Sequence, residues 1–427
     1  MPDRQMNPPA AHDAWRLALP QQVLAWLPLS LFFPLGVMYC GILLFYISLI
    51  VSGRYAEKWQ NVRASPMLLP ILALSAMTLV IGLFQDRHAG EFWPGFLHYQ
   101  TYLFLLPFLS VGAGAWQKKA QKIFFAGAVY AATLYYLSAL QWLPNIKLFR
   151  SYTIYEGNKS ILFGILLALA AGWMLHAWRW QKDHVAWRAA ALLYVVTALL
   201  LLAKTRTASL IFILLCLVIV FRQFSFTWRK LLALFILFLL VAASMNYIAC
   251  LPAPATCLVN EMRDAQMKST DIMLTRGVCT VHQIRDFSQG KQIAEDGMRL
   301  EIYKNTIELI AEKPWAGHGI GNWMPLYQAK AKDMMSGTMT TPHNDYLLYC
   351  TELGIFGLLV LLWIWCKQLL IARQMQSGVH EERAMLLSLL GMTMMVGGMF
   401  NAVLRDGVFG MAFMILLAIP LAGVKKL

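Results

Sequence analysis

Long apolar runs recur along almost the whole chain, and they limit its possible folds more than any other feature. One run, LLYCTELGIFGLLVLLWIW (347–365), contains a single charged residue and is long enough to cross the hydrocarbon core of a bilayer. The whole chain is 59% hydrophobic and only 14% charged, which is too apolar for a water-soluble protein. The sequence therefore predicts an all-α polytopic membrane protein.

The apolar runs and the polar breaks between them predict about twelve transmembrane helices. They divide the chain into a first membrane block (1–249), one long polar segment (250–342) and a second membrane block (343–427). The candidate spans lie near residues 20–34, 36–52, 66–84, 96–115, 121–141, 157–178, 187–203, 207–221, 229–249, 345–366, 384–402 and 408–424.

The distribution of cations predicts the orientation. A formal charge of +14 would suggest a nucleic-acid partner in a soluble protein. In a membrane protein, the distribution of Lys and Arg among the loops is informative instead. With both termini in the cytoplasm, every inner loop carries about three Lys or Arg residues, as the positive-inside rule requires. The first apolar run lacks a small-residue cleavage site, so we expect it to remain as a membrane anchor. Segment 250–342 then becomes an outer, periplasmic loop.

The long segment has one recognisable helix and three cysteines. The stretch DGMRLEIYKNTIELIAEK (296–313) has an amphipathic pattern and is followed by Pro314, which predicts a helix lying on the outer membrane surface. Cys250, Cys257 and Cys279 could supply one disulfide if the outer side is oxidising, but their spacing does not indicate which pair.

Two cations stand between apolar runs with almost no loop around them. In LLLLAKTRTASLIF, Lys204 and Arg206 fall at an outer turn, where the positive-inside bias disfavours cations. One interpretation is a tight turn whose cations reach the lipid headgroups. The other is a polar cavity that binds a ligand with several negative charges, and phosphate oxygens suit arginine especially well.

Three further outer arginines are weaker candidates for the same ligand. Arg299 falls on the first turn of helix 296–313, where the helix dipole disfavours a cation unless an anion compensates. The alternative for Arg299 is a solvated surface arginine. Arg150 has little local context, and Arg405 precedes Asp406, so an internal ion pair is its default interpretation.

The stretch TPHND (341–345) stands where the chain re-enters the membrane. Thr341 is a good N-cap and Pro342 a good first helical residue, which places His343 in the first turn. The helix dipole would then lower the pKa of His343, and a neutral imidazole could act as a general base on a hydroxyl. Asn344 and Asp345 could orient that imidazole or bind substrate hydroxyls. The alternative is a capping cluster with an incidental histidine.

Other motifs are weak. GHGIG (317–321) follows a helix rather than a strand and predicts a turn instead of a phosphate-binding loop. The sequence contains no Asp-x-Asp and no His-x-x-x-His, so we expect neither a metal site nor another cofactor.

PHNDYLLYCTELGIFG (342–357) and RLEIYKNTIELIAEKPWAGHGIGNW (299–323) resemble the hallmark segments of the O-antigen ligase and polymerase superfamily. The resemblance implies a GT-C-like membrane glycosyltransferase fold that uses undecaprenyl-diphosphate-linked glycan without metal or nucleotide. It implies that His343 activates the acceptor hydroxyl, and that Arg206 and Arg299, with Lys204 as a further cation, hold the diphosphate.

Within this superfamily, ligases, polymerases and protein oligosaccharyltransferases differ in their acceptors. Thr341 stands where the protein oligosaccharyltransferases have a first histidine, and the chain has one dominant outer loop where polymerases tend to have two. The resemblance therefore favours an O-antigen ligase of the Gram-negative inner membrane that acts on lipid A–core, with polymerase as the alternative. A transporter or flippase of anionic lipid-linked glycans is a different class, but the chain shows no paired repeats.

Overall fold

The computed structural model describes residues 11–85, 90–154, 157–178, 183–223, 228–257, 261–262, 267, 269–289, 295–375 and 380–425. All regular secondary structure within them is helical. The N-terminal residues 1–10 and the C-terminal residues 426–427, whose cytoplasmic location stays a prediction, lie outside this part of the chain. The α-helices are, in chain order, α1 Ala11–Ser30, α2 Leu35–Val51, α3 Tyr55–Ala64, α4 Leu68–Phe84, α5 Phe92–Tyr99, α6 Leu105–Leu109, α7 Trp116–Ala139, α8 Arg150–Thr153, α9 Asn158–Trp178, α10 Val185–Thr197, α11 Arg206–Gln223, α12 Trp228–Cys250, α13 Ser269–Ser288, α14 Glu295–Glu312, α15 Trp323–Lys330, α16 Asp345–Gln374, α17 Glu381–Phe400 and α18 Gly407–Leu421.

Several of these helices can cross a bilayer. Within the described residues, four are long and apolar enough, namely α9, α10 with its π-helical end Ala198–Leu202, α16 and α17. Helices α4 and α18 are apolar but shorter, and α2 and α3 form a pair bent by 118°. Large apolar side chains are also exposed on α2 and α4, which suits lipid rather than water. The protein is therefore a multi-pass helical membrane protein, while the number of twelve spans and the GT-C-like fold stay predictions.

One candidate span is wrong as a single helix. Residues 96–115 are divided among α5, the 3₁₀ turn Thr101–Phe104 and α6, and no helix continues past Leu109 in this stretch. Thr101 contributes to the break, because its hydroxyl donates to the carbonyl of His98 at 2.7 Å.

Helix α9 lies at the centre of the bundle. It packs against α7, α10, α11 and α17, and most of its side chains are fully buried. Small residues permit this close approach, since a Cβ at Gly164 would collide with Thr205 in the turn before α11. The core thereby fixes the position of the turn that carries Lys204 and Arg206.

Helix α16 is kinked at Gly354, and the kink is where the GHGIG turn binds. Gly354 has φ 69° and ψ −172°, a conformation that essentially only glycine adopts. The N–H groups of His318 and Gly319 donate to the carbonyls of Thr351 and Glu352, at 2.7 and 3.0 Å, respectively. The predicted turn is confirmed, and it satisfies backbone carbonyls that the kink leaves unpaired.

The long segment 250–342 forms α13, α14 and α15, which pack on the end of the membrane bundle. Helix α14 coincides closely with the predicted helix 296–313, and its location on the outer membrane surface stays a prediction. Its buried residues Ile302 and Leu309 pack with Trp323, Tyr327 and Leu348, so its apolar face is covered by α15 and α16.

The structure also resolves the choice among the three cysteines of this segment. Cys257 and Cys279 form a disulfide, which ties α13 to the chain that follows α12. Cys250 is an exposed free thiol.

Candidate active site

His343 lies in the short connection before α16, outside the helix. Its backbone has φ 50°, in the left-handed region that histidine tolerates better than most residues. Its N–H donates to Thr341 Oγ1 at 3.1 Å, and its carbonyl accepts from the Tyr303 hydroxyl at 3.3 Å. The imidazole is thus presented from a fixed turn at the mouth of the bundle.

The predicted helix start is wrong by three residues. Asn344, rather than Thr341, is the N-cap, because its Oδ1 accepts from the N–H of Leu347 at 3.0 Å. His343 is therefore not in the first helical turn, and the helix dipole cannot be the main influence on its imidazole.

The electrostatic surroundings of His343 still favour the neutral imidazole. Burial, together with the positive charges of Arg299 and Arg405, lowers the pKa of His343 to about 4. A neutral ring has a lone pair available to accept a proton at neutral pH.

Asn344 and Asp345 are occupied by protein groups. Asn344 Nδ2 donates to the carbonyl of Met399 at 3.0 Å. The fully buried Asp345 carboxylate accepts from the N–H of Leu404 at 3.2 Å and so holds the loop between α17 and α18. None of the hydrogen bonds described for these two residues reaches the imidazole of His343. Their contacts support a structural role in shaping the site, and direct binding of substrate by either residue stays a prediction.

Three arginines line one cavity of about 340 Å³ beside this turn. Arg206 lies at the start of α11, Arg276 on α13 and Arg299 on α14. Apolar residues complete the wall, among them Leu210 and Phe400. A cavity with several guanidinium groups and an apolar wall suits a ligand that is anionic at one end and hydrocarbon at the other.

Arg206 and Arg276 connect the turn before α11 to α13 by hydrogen bonds in both directions. Arg206 Nη1 donates to the carbonyl of Arg276 at 2.9 Å and also to the Thr280 hydroxyl. In the opposite direction, Arg276 Nη1 donates to the carbonyl of Lys204 at 2.8 Å. Lys204, where φ is 54°, lies in a tight turn, and this turn lines part of the cavity through Thr205 and Arg206.

Tyr303 connects the arginine cavity to His343. Its hydroxyl donates to the carbonyls of His343 and Met399, and its ring lines the cavity beside Arg299. Burial raises the pKa of Tyr303, so the phenol stays a donor at neutral pH. Arg299 itself donates to the carbonyl of Phe400 at 3.5 Å, which places α14 against the end of α17.

The remaining predicted cations take different positions. Arg405 donates to the carbonyl of Thr340 and lies close enough to His343 to affect its pKa. The expected Arg405–Asp406 ion pair is wrong, since Asp406 instead caps α18 by accepting from the N–H of Val408. Arg150 is exposed on α8 and is not among the residues that line the cavity. The side chain of Lys204 is not among them either.

Sequence reasoning missed Arg276, Tyr303 and the role of Glu352. The buried Glu352 carboxylate accepts from the Tyr99 hydroxyl at 2.8 Å and from the N–H of Trp323 at 3.3 Å. It therefore joins α5, α15 and α16 at the kink. The sequence did contain a signal for Glu352. It is a lone acidic residue in an apolar run, and such a residue needs hydrogen-bond partners when it is buried. Within the described residues, no cluster of three or more His, Cys, Asp or Glu residues could hold a metal ion.

Comparison with known proteins supports the same part of the chain. A family model described as O-antigen ligase matches residues 189–362. No curated protein matches the chain significantly in sequence. The matched segment covers less than half of the chain and ends before Arg405, but it includes the turn before α11, all of α13 to α15 and the start of α16. Residues 189–362, which carry His343 and the three cavity arginines, are thus similar to the O-antigen ligase family.

Proposed function

We propose that the protein is an O-antigen ligase, which transfers glycan from undecaprenyl diphosphate to a hydroxyl of lipid A–core. The observation that carries the proposal is the arginine-lined cavity beside a neutral, half-buried histidine. Similarity of residues 189–362 to a family whose enzymes act in lipopolysaccharide synthesis supports the same reaction class. The disulfide between Cys257 and Cys279 supports an active site on the oxidising, periplasmic side of the bacterial inner membrane.

The cavity residues suggest how the donor binds. Arg206, Arg276 and Arg299 would hold the diphosphate, and the apolar wall around Leu210 and Phe400 would contact the first part of the lipid tail. Arginine charges placed where the leaving group gains negative charge would stabilise the transition state. Arg405 would add to this positive field near His343.

The chemical step follows as a single displacement. The imidazole of His343 takes the proton of the acceptor hydroxyl while that oxygen attacks the anomeric carbon of the donor sugar. The bond between the anomeric carbon and the phosphate oxygen breaks, and undecaprenyl diphosphate leaves with the electron pair. Attack from the face opposite the leaving group inverts the anomeric configuration, so a product with retained configuration would contradict the mechanism.

A direct assay distinguishes the candidate functions. Purified protein would receive undecaprenyl-diphosphate glycan and a chelator, with lipid A–core in one reaction and not in the other. Glycan-bearing lipid A–core in the first reaction only is the result expected of a metal-independent ligase. Longer lipid-linked glycan in both reactions would indicate a polymerase, and no product in either would favour transport of the lipid-linked glycan.

The pKa of His343 predicts the pH dependence of transfer. Since only the neutral imidazole can accept a proton, kcat/KM should decline on the acid side near the pKa of the free enzyme, about 4, and should not decline near 6.5. Replacing Arg299 by Gln removes a charge that disfavours the imidazolium, so the acid limb should move to higher pH. Burial still acts in the variant, so the limb should stay below pH 6.5.

Initial rates from about pH 3 to pH 8 would test this expectation, with the shape of the profile as the readout rather than its height. Lys304, exposed on α14 one residue after Tyr303, provides the matched control. Lys304→Gln should keep the wild-type profile. An acid limb that stays in place in Arg299→Gln would remove Arg299 from the electrostatic surroundings of the base.

Arg276 gives a second prediction, because its side chain both lines the cavity and holds the Lys204 turn. Arg276→Gln should lower kcat/KM by about 10²–10³-fold, the effect typical of removing one donor to developing negative charge. Arg285→Gln is the matched control, since Arg285 is exposed on the same helix and does not line the cavity. Equal rates in the two variants would exclude Arg276 from the donor site.

A further inference from the structure

A second cationic cavity lies at the opposite end of α16. It has a volume of about 720 Å³ and is bounded by the start of α4, the end of α16, the start of α17 and the chain after α18. Its polar lining includes Lys367, His380, Arg383 and Lys425. This cavity is separate from the arginine cavity beside His343, with which it shares no lining residue.

The charge of this cavity is of one sign. No carboxylate is among its described lining residues. The two acidic residues on the adjacent first turn of α17 are not among the lining residues. Glu382 accepts from Gln121 of α7, and Glu381 acts electrostatically on Arg222 of α11. The charged side chains that line the cavity are all cationic, so the cavity favours an anion.

The position of the cavity along α16 places it at the other membrane surface. Lys367 follows Asp345 by 22 residues (367 minus 345), which corresponds to up to about 33 Å along α16, because the kink at Gly354 shortens the distance between its two ends. The hydrocarbon core of a bilayer is about 30 Å thick. With His343 at one surface, Lys367 reaches the headgroup layer of the opposite leaflet.

One wall of the cavity is apolar and continuous with the outside of the bundle. Leu69 is 60% exposed and Trp363 is 41% exposed, and both line the cavity. A free inorganic anion would gain nothing from these side chains, whereas the acyl chains of a lipid would cover them. Tryptophan is also the side chain that most favours the boundary between headgroups and hydrocarbon.

We propose that this cavity binds the headgroup of an anionic phospholipid, with its acyl chains lying along Leu69 and Trp363. Basic pockets between transmembrane helices are suited to phosphate-bearing headgroups, and each nearby cation adds attraction. The guanidinium of Arg383 donates to the carbonyls of Pro420 and Ala422, so it contributes a positive charge at a fixed position in the cavity wall. Lys367 and Lys425 supply the charges that close on the headgroup.

The test measures bound lipid rather than glycan transfer, so its outcome is independent of the proposed activity. The full-length protein would be placed in nanodiscs with equal amounts of phosphatidylglycerol and phosphatidylcholine, released gently, and examined by native mass spectrometry. Wild-type protein should retain phosphatidylglycerol preferentially. Lys367→Gln combined with Lys425→Gln should lower that preference about tenfold or more, since each cation near the headgroups contributes on the order of 1 kcal/mol.

Arg373→Gln is the matched control, because Arg373 is exposed near the same end of α16 and does not line the cavity. It should retain the wild-type preference, and size-exclusion chromatography would verify that every variant is folded. The proposal is overturned if the double variant keeps its phosphatidylglycerol or if Arg373→Gln loses as much. Displacement of the lipid by millimolar inorganic phosphate would also overturn it, since the apolar wall would then contribute nothing.

Discussion

His343→Asn is expected to lower glycan transfer by about 10²–10⁴-fold, the range that general-base catalysis contributes. Asparagine is the appropriate substitute because it accepts a left-handed backbone readily, and His343 has φ 50°. The variant thus removes the base without straining the turn before α16. The rate of product formation on lipid A–core would be measured at saturating donor, so that a change in donor affinity does not contribute.

The matched control for this substitution is His184→Asn. His184 has nearly the same backbone conformation, with φ 53°, but is exposed in the turn before α10. Its substitution should leave transfer within about twofold of the wild-type rate, as expected of a surface change. Retained activity in His343→Asn would show that the acceptor proton goes elsewhere, and equal losses in both variants would indicate a general sensitivity of these turns.

The sequence alone identified those site residues whose charge is unfavourable at their position in the chain. Lys204 and Arg206 were notable because outer cations break the positive-inside bias, and Arg299 because the helix dipole disfavours a cation in a first turn. Their spatial relation was not readable, because it depends on which face of α13 meets the turn before α11. Arg276 and Lys204 are 72 residues apart in the sequence, so no local pattern relates one to the other.

The start of α16 shows a conflict between local rules. Thr341 followed by Pro342 is a favourable helix start, and Asn344 is an equally good N-cap. The structure selects Asn344, whose amide satisfies both the N–H of Leu347 and the carbonyl of Met399 on α17. The second contact is tertiary, so no local rule could have included it. The correct expectation of a lowered pKa for His343 therefore rested on the wrong cause.

The Glu-x-Gly part of the α16 signature illustrates the same limit. Its pattern identified a family, but the pattern alone assigns no role to Glu352 or Gly354. In the structure, both residues serve the kink, since Glu352 binds Tyr99 and Trp323 while Gly354 permits close approach of the chain at Trp315. Holding the kink of α16 in place is a sufficient physical reason for the presence of Glu352 and Gly354.

Gly354→Ala is expected to destabilise the protein by roughly 3 kcal/mol or more, through backbone strain and steric overlap together. The backbone of Gly354 has φ 69° and ψ −172°, which a residue with a Cβ strongly disfavours. An added Cβ would also collide with the carbonyl of Trp315. The loop from Pro314 to Gly321 would then separate from the kink, leaving the carbonyls of Thr351 and Glu352 without their donors.

The temperature at which half of the detergent-solubilised protein remains monodisperse would measure this effect. Gly407→Ala is the control, because Gly407 begins α18 with nothing within 4 Å of its added Cβ and without a positive φ. It should leave the midpoint unchanged or raise it slightly, since alanine restricts the unfolded chain more than glycine does. If Gly354→Ala matched this control, α16 would run straight past residue 354, and the loop carrying His318 would not need the kink as its binding site.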